Sequence, residues 1–432
     1  MKFLKSAIIT FTSNIAILII SFAITIVTSR VLGTTGKGIV SVGNNINSFA
    51  LIILGFGMTS SNIYFAGKDK KKINEILGSN IVVTIISVFI LICLYILNHF
   101  YSLDFLFKGL DLKIIGVVLI TIPITNLKSA FINLLLGLQK IETYNKLNIF
   151  DRFLTFILLL IFILPTKSSY WVLVSNLIAS LILLVVLSII IFIKYNNKVT
   201  FSLKLFSNMM KYGIKAQVGN AIQILNYRLD IFIIQYFLTL SDVGIYSNAV
   251  VLGETMWRVS SSIATVVLPI TANSGNKLEM TGFINKVTRV TFTIILIGSI
   301  ILGVISKPLM SILFNKEFAS GAVALMLLVP GISIFSVCNI LSNYMAGIGK
   351  IENNIIASSV GCVITVIFDI ILIPKIGING ASIATSISYI VSTIITVYFY
   401  IRITGSKVRD LLVVNKKDII EIKNKIMRIK LG

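Results

Sequence analysis

The stretch SRVLGTTGKGIVS, residues 29–41, is the first place where residue types suggest chemistry, because three glycines surround Lys37. Such a loop could hold a phosphate. A P-loop, however, requires G-x-x-x-x-G-K-[ST] between a strand and a helix, with a hydroxyl after the lysine for magnesium. Only two residues separate Gly33 from Gly36, and Gly38 occupies the hydroxyl position. A long apolar run precedes the stretch, so the pattern argues against a nucleotide site.

Charged side chains inside long apolar runs are the second group that could do chemistry. A charge at the centre of a bilayer costs about 2.5–3.5 kcal/mol on insertion scales, so it normally faces a cavity or a partner. Such groups either bind an ionic ligand or neutralise one another. The cations are Lys128, Arg152, Arg228 and Arg258, with Arg30 at the end of the first run, and the acids are Asp151, Asp230, Glu254 and Asp369.

Spacing along a helix decides which of these charges can pair with each other. Glu254 and Arg258 stand at i and i+4 with the acid first, which is the favourable orientation for a helix pair. They are therefore either a self-neutralised structural pair or part of a ligand site. Arg228 and Asp230 are two residues apart and cannot face each other on one helix. We expect at least one of them to point into a cavity or towards another helix, and Asp230 and Glu254 are candidates for coupling or gating.

Position along the runs gives expectations for the other charges. Asp151 and Arg152 lie near one predicted membrane face, where long side chains snorkel to lipid headgroups. Asp369 lies near the opposite face, where we expect interfacial solvation. Lys128 lies well inside its run, so we expect it to face a cavity.

The elements that position these charges are membrane helices. The chain has 432 residues, of which 56% are hydrophobic and 12% charged, and its mean hydropathy is +0.98. Soluble domains carry about 25% charged residues. The apolar runs are too long for barrel strands and lack their alternation. We predict an all-α integral membrane protein with about twelve spans, at 7–29, 38–65, 74–98, 112–136, 146–165, 169–194, 211–238, 243–269, 285–306, 319–345, 353–373 and 379–402.

The net charge of +22 has an explanation that needs no nucleic acid. If the amino terminus is cytoplasmic, the loops on that side hold most of the 38 lysines and arginines, which is the positive-inside bias. An even number of crossings then places both termini in the cytoplasm. The three cysteines fall within separate spans, so we expect neither a disulfide framework nor a metal site. We likewise expect no cofactor.

The chain repeats itself. LGTTGKGIVS (32–41) aligns without gaps on LTLSDVGIYS (238–247), and GLQKIE (137–142) recurs as GIGKIE (347–352). Matches in the same order at nearly constant separation indicate two homologous halves. Six spans, an even number, separate them, so the halves enter the membrane in the same direction. We read the first glycine stretch as a tight outer hairpin between helices 1 and 2, repeated between helices 7 and 8, where glycine permits the reversal.

A family resemblance rests on motifs spread over nearly the whole chain: SRVLGTTGKG, SNIYF (61–65), LSDVGIYSNA (240–249), GIGKIENN (347–354) and IPKIGINGASIAT (373–385). With these the chain resembles the polysaccharide flippases of the multidrug/oligosaccharidyl-lipid/polysaccharide superfamily. Those proteins move undecaprenyl-pyrophosphate-linked sugars across bacterial cytoplasmic membranes. The resemblance implies two six-helix lobes around a central cavity that opens alternately to either side. We expect an N-lobe at 1–200, a C-lobe at 201–402 and a cytoplasmic tail at 403–432.

The first two helices favour an anionic cargo. Residues 1–67 contain no Asp or Glu, whereas drug-exporting relatives, as a family, use an acid in helix 1 for a coupling proton or sodium. We expect Lys128, Arg228, Arg258 and Arg30 to bind the pyrophosphate through charge-assisted contacts. Asn44, Asn45 and Asn47 could contact sugar hydroxyls. They could equally form interhelical hydrogen bonds, which are common in membranes.

The resulting functional reading is a non-enzymatic flippase of the bacterial cytoplasmic membrane for a precursor of capsule, O-antigen-like or other surface polysaccharide. Its partners would be lipid-linked oligosaccharide, membrane lipids and a glycan polymerase of the same pathway. The alternatives are the peptidoglycan lipid precursor (lipid II) or a drug on the same fold. A membrane polymerase fits less well, because the longest predicted outer loop, 99–112, has about a dozen residues and no clustered base.

The tail at 403–432 has a different residue pattern from the membrane spans. Ile419, Ile422, Ile426 and Ile429 follow a 3-4-3 spacing with lysines and an arginine between them. This pattern predicts a basic amphipathic helix on an anionic leaflet. A disordered, merely basic tail is the alternative.

Overall fold

In the computed structural model, which describes residues 2–101, 103–272 and 277–415, every regular element is helical. The predicted all-α integral membrane class is therefore confirmed. The helices are α1 (Lys2–Leu54), α2 (Met58–Lys68), α3 (Ile73–Tyr101), α4 (Asp104–Phe107), α5 (Leu112–Gly137), α6 (Ile141–Thr166), α7 (Ser169–Ser188), α8 (Leu203–Phe237), α9 (Leu240–Ala272), α10 (Lys277–Val304), α11 (Ser306–Phe314), α12 (Ala322–Gly347), α13 (Ile351–Ile376), α14 (Ile378–Thr404) and α15 (Val408–Leu412).

Within the described ranges, nine helical stretches are long and apolar enough to cross a membrane. Helices of 26 residues such as α5 and α6 reach about 39 Å at 1.5 Å per residue, enough for the hydrocarbon core. The helices α8 and α9 form at two predicted spans but are not among the nine. Arg228 and Asp230 in α8 and Glu254 and Arg258 in α9 show why, since charged residues lower the apolarity of these helices. The count of twelve crossings remains a prediction.

The predicted turn between two helices at 30–37 is reduced to a single residue. The element α1 consists of two helices that meet at Gly33, which lies outside the helical region with φ 67° and ψ −169°. A single residue with a positive φ changes the direction of the chain between the two helices, and glycine is the residue that adopts this conformation at low cost.

A second interruption lies inside the predicted span 38–65, where we expected a continuous helix. Phe56 and Gly57 have φ of 45° and 69°, and they separate α1 from α2. A Cβ atom at Gly57 would lie 2.0 Å from the carbonyl oxygen of Gly213. The break therefore lets the backbones of α2 and α8 approach closely, and the hydroxyl of Ser61 donates to the carbonyl of Met209 at 2.7 Å beside it.

Packing divides the chain into two compact units, which are Met1–Gly244 with Leu313–Asn315 (unit 1) and Ile245–Ile312 with Lys316–Gly432 (unit 2). In unit 1, α1 packs on α6, and α5 packs on α2, α3 and α7. In unit 2, α14 packs on α12 and α13, and α10 packs on α12. The predicted lobe boundary near residue 200 comes from the repeat and remains a prediction.

Each unit has an apolar interior and an apolar exterior. Unit 1 buries Leu77, Phe131 and Leu134 between α3, α5 and neighbouring helices. On the outside of α3, a stripe of large apolar side chains is exposed: Ile85, Phe89, Ile92 and Ile96. An exposed stripe of this kind suits the lipid phase, where it replaces the polar surface of a soluble protein.

The short helix α15 closes one end of the unit 2 core. Leu411 is fully buried in a cluster with Ile340 and Tyr400, and α15 packs on α10. The Tyr400 hydroxyl donates to Asn285 Oδ1 at 2.8 Å, and Arg289 Nη1 donates to the carbonyl of Asp410 at 3.3 Å. Residues 405–415 are thus docked, whereas the predicted amphipathic stripe at 419–429 lies outside the described residues.

We expect Leu411→Ala to destabilise unit 2 by about 2–5 kcal/mol, because truncating a buried leucine removes apolar contacts and leaves a cavity. The matched control is Val413→Ala, two residues later and 47% exposed, which should change stability little. Thermal unfolding of both variants in detergent checks the difference. Equal melting temperatures for the two would show that α15 does not contribute to the core.

Candidate functional site: polar groups on the membrane helices

The best-defined polar contact in unit 1 centres on Lys128. Its ammonium lies 3.0 Å from Asp151 Oδ2 and 3.2 Å from Oδ1, and it donates to the Ser180 hydroxyl at 3.1 Å. The three side chains come from α5, α6 and α7. The Lys128 and Asp151 side chains are only 15% and 20% exposed. The structure thus pairs Lys128 with an acid, and the expectation that Asp151 snorkels to headgroups does not hold.

Two further polar contacts lie one turn away from this pair. Thr125, three residues before Lys128, donates its hydroxyl to Asn47 Oδ1 at 2.9 Å. Asn176, four residues before Ser180, approaches Asn44 Oδ1 with its amide nitrogen at 3.4 Å. Since residues three and four apart share a helix face, these contacts join the Lys128 pair in one band. We call Asn44, Asn47, Thr125, Lys128, Asp151, Asn176 and Ser180 the polar seam.

The asparagines of α1 differ in their surroundings. Asn45 is buried and donates its amide to the backbone carbonyl of Arg228 at 3.0 Å, so it joins α1 to α8. That is the interhelical role that the sequence left open. Asn44 is exposed and Asn47 is partly exposed. These two keep surface that a ligand can reach.

Arg228 and Asp230 differ in burial, as their spacing predicts. Asp230 is 4% exposed and accepts a hydrogen bond from the backbone N–H of Ile231 at 2.8 Å, while Arg228 is only partly buried. Lys37 is also buried, and it lies close enough to Arg228 for the two positive charges to interact. Lys37 belongs to the glycine stretch that the sequence analysis interprets as a hairpin, and nothing in that pattern indicated that its side chain is buried.

Arg30 has a local structural role. Its Nε donates to the carbonyl of Leu313 at 2.9 Å, and its own carbonyl accepts from the Asn315 amide at 3.1 Å. These contacts attach the 313–315 segment to the end of the first apolar run. Arg30 is exposed, and whether it also binds a headgroup remains a prediction.

In unit 2 the predicted i, i+4 pair forms. Arg258 Nη2 lies 3.5 Å from Glu254 Oε2, but the two side chains are unequal, with 49% of Arg258 exposed and only 8% of Glu254. One contact leaves other guanidinium N–H donors facing outward. On the same helix, Ser260 accepts from the Asn339 amide of α12 at 3.0 Å. The Glu254 carboxylate is therefore buried, while the Arg258 side chain remains half exposed.

The site residues thus fall into separate groups. The polar seam joins Lys128 to Asn44 and Asn47 in unit 1, while Glu254 and Arg258 form their own pair in unit 2. Both groups contain hydrogen-bond donors and cationic side chains. The acidic side chains in these groups are either paired with a cation or buried. Such a set suits a ligand that carries both hydroxyls and negative charge.

Comparisons with known proteins agree with this fold. A family model described as polysaccharide biosynthesis protein matches residues 3–274. An uncharacterised membrane protein of Methanocaldococcus jannaschii is 28% identical over 281 residues, covering 62% of this chain and 55% of that protein. The probable low-salt glycan biosynthesis flippase Agl15 of Haloferax volcanii is 26% identical over 202 residues, covering 44% and 41%. The chain thus spans about half the length of the curated relatives it matches.

Among solved structures, the lipid II flippase MurJ in an inward closed conformation superposes with a TM-score of 0.75. The identity is 17%, and the match covers 94% of this chain and 89% of that one. At this identity the likeness concerns the fold alone.

Proposed function

This chain is a member of the polysaccharide biosynthesis protein family, and from that premise we propose that it flips undecaprenyl-pyrophosphate-linked oligosaccharide repeat units between membrane leaflets. The repeat units would be precursors of a surface polysaccharide such as capsule or O-antigen. The membrane would be the bacterial cytoplasmic membrane, with both termini in the cytoplasm. A glycan polymerase would consume the flipped units.

The observation that carries this proposal is the unequal exposure of the Glu254–Arg258 pair. A buried acid and a half-exposed guanidinium favour an anionic ligand, because the cation can form bidentate contacts with phosphate oxygens. The exporter of a cationic drug would need the opposite arrangement. Residues 1–67 contain no acid, and the acid of the polar seam, Asp151, is paired with Lys128. Both facts also favour an anionic ligand over a cationic drug.

In the proposed mechanism two lobes rock about a central site, and no covalent bond is made or broken. The pyrophosphate would contact Arg258, Arg228 and, once its pair with Asp151 opens, Lys128. Asn44 and Asn47 would contact sugar hydroxyls. Asp230 and Glu254 would couple or gate the change between the inward-open and outward-open states. The low apolarity of α8 and α9 supports their lining the route. The cargo changes the populations of the inward-open and outward-open states only because its affinity for the two states differs.

The proposal is tested with the full chain in proteoliposomes. Three labelled compounds are compared: an undecaprenyl-pyrophosphate-linked oligosaccharide, lipid II and ethidium. We expect only the first to change leaflets faster than in empty vesicles. Faster movement of lipid II alone would support the peptidoglycan alternative, and ethidium transport would support the drug alternative. Either result would overturn the proposed cargo.

We expect Arg258→Ala to slow flipping of the lipid-linked oligosaccharide about 10- to 100-fold, because a charge-assisted contact to phosphate is lost. Protein yield should not change, since half of this side chain is exposed. The matched control is Arg152→Ala, an exposed arginine on α6 that we place outside the site. Equal rates for the two variants would remove Arg258 from the headgroup site.

A further inference from the structure

A cavity of about 480 Å³ lies at one end of unit 1, apart from the polar seam. Its lining comes from three places in the sequence, represented by Thr35, Lys108 and the stretch from Gln235 to Ser241. The charge distribution predicts that the segments around all three lie on the outer side of the membrane. The fold brings these segments together, and the volume is within the range of small-molecule sites.

The polar group that stands out in this cavity is the amide of Gln235. The residue is 2% exposed, and its Nε2 donates to the carbonyl of Lys108 at 2.8 Å, which fixes the orientation of the amide. Its Oε1 is buried and accepts no hydrogen bond from any part of the chain that the structure describes. A buried acceptor without a donor costs about 1–3 kcal/mol, and native proteins rarely leave one. Since Gln235 lines the cavity, a ligand whose hydroxyl displaced the atoms that cover this oxygen and donated to it would remove that cost.

The other lining groups narrow the ligand class. The Lys108 ammonium donates to the carbonyl of Tyr236 and keeps further N–H donors. The Ser241 hydroxyl donates to Thr34 Oγ1 at 2.9 Å, so its oxygen can still accept. Leu238 and Leu240 supply apolar surface. The cavity therefore offers acceptors, a cationic donor and an apolar wall.

A sugar ring matches this set, because its hydroxyls both donate and accept while its C–H groups pack on apolar side chains. A deprotonated phosphate or pyrophosphate carries acceptors only, so it could bind Lys108 but could not donate to Gln235 Oε1. The unsatisfied acceptor thus favours a glycan over the anionic headgroup as the ligand of this cavity.

We propose that this cavity is a subsite for one hydroxyl-bearing glycosyl unit of the cargo, held by Gln235 and Lys108 on the release side of the membrane. The inference rests on the proposed function for the identity of the cargo. It assigns the glycan and the pyrophosphate to different places on the protein. The pyrophosphate belongs with the intramembrane cations, and the sugar contacts the outer end of unit 1 as it leaves.

The test uses the full chain in phospholipid nanodiscs and free sugars as probes: galactose, N-acetylglucosamine and glucuronate, with inorganic pyrophosphate for comparison. Saturation-transfer NMR should show contact with at least one sugar. Gln235→Met should weaken that binding about 3- to 10-fold, the effect of one hydrogen bond. The matched control is Gln223→Met, 12 residues earlier on α8, whose amide donates to the Tyr227 hydroxyl and lies outside the cavity. Thermal unfolding checks that both variants are folded.

A second variant leaves Gln235 intact in case its replacement prevents folding. Thr35 is exposed and lines the cavity, so Thr35→Leu should fill part of the space and weaken sugar binding by a similar factor. Displacement of the free sugar by the lipid-linked oligosaccharide, and not by a glycosyl diacylglycerol, would identify the cargo as the source of the glycosyl unit.

Unchanged sugar binding in Gln235→Met and Thr35→Leu overturns the subsite, as does wild-type contact with pyrophosphate and no sugar. In that case water satisfies Gln235, and flipping by the wild type would leave the proposed function intact. If the sugar binds through Gln235 but no lipid-linked oligosaccharide is flipped, the subsite stands and the proposed function fails.

Discussion

Replacing Gly38 with alanine is expected to prevent the native packing of α1 on the start of α9 and to abolish most of the folded protein. A Cβ atom at position 38 would lie 1.7 Å from the carbonyl oxygen of Leu240 and 2.7 Å from its carbonyl carbon. Backbone atoms cannot rotate away as a side chain can, so the helices must separate. Overpacking a well-packed interior typically costs about 1–3 kcal/mol, and we expect Gly38→Ala to exceed the upper end.

The measurement is the amount of monodisperse protein after extraction, together with its melting temperature. The matched control is Gly116→Ala on α5, where a Cβ would meet nothing within 4 Å. That change should be neutral or stabilising, because alanine favours a helix over glycine by about 1 kcal/mol. A Gly38→Ala protein that extracts and melts like Gly116→Ala would show that this close contact is absent.

The same contact bears on the internal repeat. The repeat aligns Gly38 with Gly244, and a Cβ at Gly244 would lie 2.0 Å from the carbonyl oxygen of Thr34, the residue that the repeat aligns with Leu240. Each glycine thus approaches the carbonyl four residues before the other. Both glycines of the aligned pair therefore allow a close approach of backbone to backbone, which is a reason for glycine that the predicted hairpin did not include.

The sequence predicted the membrane helices and the Glu254–Arg258 pair because both depend on local spacing along one helix. It did not predict the break at Phe56 and Gly57, because that break is coupled to the approach of a distant helix at Gly213. Helix propensities carry no information about such an approach.

The partner of Lys128 was missed for a similar reason. Asp151 lies 23 positions further along the chain, and depth along a helix says nothing about the direction of a side chain. Only the packing of α5, α6 and α7 brings the carboxylate and the Ser180 hydroxyl to the ammonium. Pairs that form between helices require tertiary structure, whereas pairs within one helix do not.

Separating Lys128 from Asp151 is the second change from which we expect a large effect. Lys128→Met leaves a carboxylate without its cation, and Asp151→Asn leaves an ammonium without its anion, each in a largely buried setting. Breaking a buried pair on one side costs about 3–5 kcal/mol. We expect both single variants to melt well below the wild type. The control is Glu142→Gln, which breaks the exposed Glu142–Lys146 pair and should cost no more than about 1 kcal/mol.

The double variant Lys128→Met with Asp151→Asn separates a structural role from a role in cargo binding. Removing both charges leaves neither one uncompensated, so we expect most of the lost stability to return, which a double-mutant cycle measures as a coupling energy. If Lys128 also holds the pyrophosphate, the restored protein should flip lipid-linked oligosaccharide at no more than about a tenth of the wild-type rate, because the loss of a charge-assisted contact is not repaired. Recovery of flipping together with stability would instead make the pair purely structural, and the headgroup site would then consist of arginines alone.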